Sequence, residues 1–183
     1  MSRSRRDATA QAATGRTLTL RFSKKTDGTA SLSCIRDDGT ATWQKQRGAS
    51  AHFFPRHDLT HYAVETLLGI RTGFYGMVSE GWDISDFGTP WPRGPMPEGA
   101  DLAEVIVGML DLERASGTTW PAADYRLKVT EYHAARGAAR EIALDDGQLA
   151  AIRARRDELF AQLDATRPGD TLELLFALPP ESE

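Results

Sequence analysis

One cysteine, Cys34, stands among 183 residues, which excludes an intrachain disulfide and any zinc site built from paired thiolates. No apolar run is long enough to span a membrane, and no apolar signal-peptide core follows the N-terminal arginines. Membrane attachment and secretion are therefore not expected, and the cytoplasm is the default location. A basic surplus is missing too: the formal net charge is -4 and the isoelectric point about 5.6, which argues against a dedicated nucleic-acid binder. Also absent are a phosphate-cradling Gly-x-x-x-x-Gly-Lys loop and a Gly-x-Ser-x-Gly nucleophile elbow.

What is present is ordinary globular composition, with 40% hydrophobic and 26% charged residues. A chain of this length can bury a core of its own without a metal or disulfide to fold it. Residues 1–16, rich in Ser, Ala, Thr and Arg, hold nothing to bury and read as a disordered arm. Residues 17–180 read as a single α+β domain.

Within it, Leu18, Leu20 and Phe22 alternate, as do Ala30, Leu32 and Cys34, with turn signals at Asp27-Gly28 and Asp37-Asp38-Gly39. With Thr40–Gln44 they form a three-stranded antiparallel meander, and Cys34 is a core residue rather than a reactive one. Leu172, Leu174, Phe176 and Leu178 alternate near the C-terminus and add a fourth strand. Between them about five helices are expected: Pro55 to Leu68, Gly73 to Glu80, residues 101–115, Pro121 to Ala135, and Asp145 to Leu163. Residues 83–99 carry four prolines and three glycines and read as a long irregular loop, a lid or a docking segment. Trp43, Trp82, Trp91 and Trp120 are expected to pack the core and this loop.

The chemistry concentrates in the first helix. At about 100° per residue, His57, His61 and Glu65 drift by only about 40° per step and form one stripe. Leu59, Tyr62, Ala63, Thr66, Leu67 and Ile70 make the opposite, core-facing side. Imidazoles one turn apart can share a metal ion, with Asp58 or Glu65 as base or orienting partner. A third ligand is sought on the next helix, where Glu80 is the candidate and Gly73 and Gly76 permit close approach.

The segment His57-Asp58-Leu59-Thr60-His61, eighteen residues, then Glu80 resembles the His-Glu-x-x-His…Glu zinc motif of gluzincin metallopeptidases, with Asp58 in place of the general-base glutamate. That resemblance implies His57, His61 and Glu80 as zinc ligands. The same segment is similar to the His-Asp-x-x-His…Glu motif of a metal- and lipid-binding protein of ubiquinone biosynthesis, except that Gly73 stands where its last ligand would be. The stretch from Phe53 to Phe87 also resembles uncharacterised bacterial proteins with a His-Asp-Leu-Thr-His helix.

The leading expectation is a divalent transition metal, zinc first, in a His/His/Glu site that leaves a position open for water. It would serve a hydrolase acting on a small molecule or peptide. The alternative is a non-enzymatic binding or regulatory protein, in which the histidine helix is structural and the Pro/Trp-rich loop docks a partner.

Overall fold

The computed structural model describes residues 16–88 and 94–177. The expected arm up to residue 15, Trp91 in the long loop, and Leu178 lie outside those residues.

Four strands, β1 (Thr17–Lys24), β2 (Ala30–Arg36), β3 (Ala41–Gln46) and β4 (Thr171–Ala177), form one antiparallel sheet in the order β3-β2-β1-β4. Alternation decides its faces. Leu18, Leu20, Phe22, Leu32, Cys34 and Phe176 project to one side and are buried. On the other side Arg21 pairs with Glu173 and Ser23 with Thr171 across neighbouring strands. Trp43 departs from its expected core position. It lies opposite Ser33 on the outer face and is 67% exposed, because Thr42 is the residue of β3 that turns inward.

Of five helices, α1 (Ala49–Leu68) and α2 (Phe74–Ser79) lie against the inner face, while α3 (Asp101–Ser116) and α5 (Asp146–Ala165) pack on α1 and α4 (Ala122–Ala134) packs on α3. The expected starts and stops hold except at α1, which begins six residues before Pro55 and carries that proline inside it. Proline at this position removes the N–H that would reach Ala51 and sets its ring against the Ala51 carbonyl. The preceding turns gain packing in return, with the Phe53 ring stacked on His57 at 5.4 Å. A 3₁₀ turn at Ile84–Phe87, closed by reciprocal Asp83 and Asp86 capping, interrupts the loop that composition marks as irregular.

Helix α1 is the axis of the molecule. Its middle, from Asp58 through Glu65, is buried without interruption. The sheet covers one side, where the Tyr62 hydroxyl donates to the Leu175 carbonyl at 2.9 Å. Helix α5 covers another, with Arg56 paired to Asp164 at 2.5 Å, and α3 lies over the histidine side. Leu67, expected in the core, is exposed, and its neighbour Leu68 is the residue of the last turn that packs on the core. Among the described residues no helix is long and apolar enough to cross a membrane.

Candidate metal centre

His57 and His61 stand one turn apart on α1, with ring centroids 4.9 Å from one another at 71°. Each imidazole is held at Nδ1 by a carboxylate: Asp111 Oδ2 lies 2.8 Å from His57 Nδ1, and Glu65 Oε1 lies 3.1 Å from His61 Nδ1. That arrangement leaves Nε2 of both rings to face something else. For His61 that is Glu104 of α3, whose Oε1 lies 3.2 Å from His61 Nε2. One ligand atom from each of His57, His61 and Glu104 lies within 4.8 Å of the other two, the one such trio among the described residues.

Tetrahedral ligands about 2.1 Å from an ion stand about 3.4 Å apart. The His61–Glu104 distance of 3.2 Å already fits that spacing, and with all three atoms within 4.8 Å of one another the trio as a whole needs a closure of at most about 1.4 Å.

Glu65 explains why α2 starts where it does. Its carboxylate is fully buried, and Oε2 accepts the N–H groups of Tyr75 at 2.9 Å and Gly76 at 3.1 Å, orphan donors of the first turn of α2. A Cβ at Gly73 would collide with that carboxylate, and one at Gly76 with the Arg71 carbonyl. The two glycines thus permit the close approach expected of them, but it is made to Glu65 and to Arg71.

Burial opposes charge on His61, yet its hydrogen bonds to Glu104 and Glu65 outweigh that and push the imidazole up to about 10. The same His61 contact holds the Glu104 carboxyl below its usual range against partial desolvation. Burial raises the Glu65 carboxyl, opposed by His61 and by the two backbone N–H groups. His61 is 2% exposed while the Glu104 side chain is 57% exposed, so the trio is enclosed on the α1 side and open to solvent beside α3.

Glu80 is not brought to this group. It lies at the C-terminal cap of α2, and its carboxylate pairs with Arg16 at 2.8 Å in solvent. Helix α2 runs its first turn toward Glu65, so its far end falls away from the histidines. The third carboxylate comes instead from α3. Asp58 is buried on the sheet side of α1, accepting from the Gln44 side chain at 3.2 Å, and desolvation pushes its carboxyl up to about 7. Glu65 does stand beside His61, as an orienting partner.

Sequence reasoning missed Glu104 and Asp111. Their signal was there: with Gly108 they stand at i, i+4, i+7 on one side of the helix, between the apolar residues Val105, Ile106, Val107, Met109 and Leu110. No atom lies within 4 Å of where a Cβ on Gly108 would be, so the stripe has room beside it.

Compared with protein families, curated proteins and solved structures, the chain matches none of them.

Proposed function

We propose that this protein binds a divalent transition metal through His57, His61 and Glu104, and that the bound ion serves hydrolysis of a small molecule. The observation that carries this is the pairing of each ring Nδ1 with its own carboxylate. Asp111 and Glu65 orient the two rings and fix Nε2 as the ligating atom, the usual outer support of metal-bound histidine. Two imidazoles and one carboxylate suit zinc and leave a coordination position free, where the ion would supply Lewis acidity and a more acidic water. The solvent-facing side at Glu104 gives a substrate its approach. The ligand set is the one the gluzincin resemblance implies in type, with Glu104 in the place proposed for Glu80.

A second reading rests on the same distances. Glu65, His61 and Glu104 also form a closed ion-paired chain that needs no metal, consistent with the raised His61. In that reading the helix is structural and the protein binds a partner without catalysis.

Zinc affinity under chelator competition separates them. Glu104→Gln, at an exposed side chain, should weaken zinc binding by about tenfold or more, since a neutral amide is a poor donor to a dication. Glu80→Gln should leave it unchanged. Wild-type protein that takes up no zinc, manganese or iron would establish the structural reading.

A further inference from the structure

Next to the histidine–glutamate trio lies a cavity of about 520 Å³, within the span of small-molecule pockets, roughly 300–1,000 Å³. Phe74, Met77, Phe87 and Met96 give it an apolar wall, and Glu104 lines it. On the α4 side stand His133, Arg136 and Arg140.

The polar groups on this lining are unevenly matched. Glu98 faces Arg140 at 3.7 Å, Asp101 faces His133 at 3.5 Å, and Glu104 faces His61 at 3.2 Å. Each carboxylate thus has a basic neighbour. Arg136 has no carboxylate in ion-pair range among the described residues. Its guanidinium lies over the Tyr132 ring, 3.5 Å from the centroid, and gives one bond to the Tyr132 carbonyl at 3.1 Å. That orients the group, and the rest of its five donors face solvent at an exposed position on the lining. His133 stands beside it on the cavity wall. It is 3% exposed, and its buried Nε2 has no hydrogen-bond partner, Asp101 lying too far to accept well. Because that nitrogen is closed to solvent, the His133 ring borders the cavity through its other atoms.

We infer that this cavity binds a small organic anion with an apolar body, its carboxylate or similar oxyanion received by Arg136 beside His133 and its hydrocarbon part lying on Phe74, Met77, Phe87 and Met96. Because Glu104 belongs both to this lining and to the metal trio, such an anion is the substrate or product class of the proposed metal site. That last assignment rests on the metal reading, whereas the binding itself does not.

The probes are octanoate, octylamine and octanol, which share one body and differ in head group, titrated calorimetrically into the full chain with and without zinc. Octanoate should bind about tenfold more tightly than octylamine, as a charge-assisted hydrogen bond implies, and should shift the His133 ring resonances. Arg136→Gln should cost octanoate about that factor while leaving octanol unaffected. Ala139→Trp, at an exposed position on the lining, should block octanoate and octanol while zinc affinity stays as in wild type. Octylamine binding as tightly as octanoate, no binding of any probe, or Arg136→Gln without effect would each overturn the inference. If octanoate binds through Arg136 but the protein takes up no zinc, the cavity stands and the metal reading falls. If zinc binds and octanoate does not, the reverse holds.

Discussion

Asp58 and Glu65 are both carboxylates buried on α1, yet their surroundings give them different work. Glu65 accepts two backbone N–H groups and faces His61, which oppose the rise that its burial causes. Asp58 has one amide donor, from Gln44, against complete desolvation. With its folded value near 7 and its ordinary value 3.8, the native state holds a proton on Asp58 that the unfolded chain has lost between those limits. The contribution to stability is therefore full below about pH 4 and is lost as pH rises through about 7. Asp58→Asn removes that dependence. Its stability relative to wild type should be greater at about pH 8.5 than at about pH 5.5, by roughly 1–2 kcal/mol in urea unfolding. An equal difference at both pH values would show that the Asp58 charge is better solvated than its burial implies.

At the scale of elements, the joint between α1 and α2 shapes the site more than either helix alone. A six-residue helix gains little from its own hydrogen bonds. Its start is held by Glu65, reached across a backbone approach that only glycine permits. Gly76→Ala would force the Arg71 carbonyl aside and pull the N–H groups from Glu65. It should destabilise by more than the 0.5–1 kcal/mol or so that an ordinary strain-free glycine change involves, about 2 kcal/mol or above. An unchanged unfolding midpoint would mean that α2 is anchored elsewhere. The same reasoning applies to β4, whose Phe176 is fully buried beside Leu18 and packs on Tyr75 with centroids 5.5 Å apart. Phe176→Ala should cost about 3–5 kcal/mol, read from thermal or denaturant unfolding.

For the molecule as a whole, proton binding and the proposed metal binding would compete at His61. Its value near 10 lies above the ordinary 6.5, so its ion pairs stabilise the metal-free fold fully below about pH 6.5. That stabilisation is lost as pH rises toward 10. Zinc must displace the same proton, so its affinity should rise about tenfold per pH unit between about pH 7 and 9. Chelator-treated protein should then lose stability across that window while zinc-loaded protein gains on it, by about 2.7 kcal/mol where free zinc reaches about a hundred times Kd. Thermal melts with and without zinc across this pH range test both signs. A zinc effect independent of pH would place the ion away from His61.

Period-2 alternation, the two Asp–Gly turns and the proline and glycine punctuation were enough to read the α+β class, the four strands and the five helices, because these features act over a few residues. The one-turn spacing of His57 and His61 and the stripe they share with Glu65 were legible for the same reason. What α1 meets was not. Eight successive buried residues carry no amphipathic signature, so the sequence pattern cannot say which neighbour covers which side. Only the packing of α3 across the histidine face brings Glu104 and Asp111 to the rings, over separations of 43 and 54 residues in the chain. The packing of α2 onto Glu65 likewise carries Glu80 outward to Arg16. A carboxylate's partners are set by distances of a few ångströms, and those follow from how the helices stack, not from how far apart their residues stand in sequence.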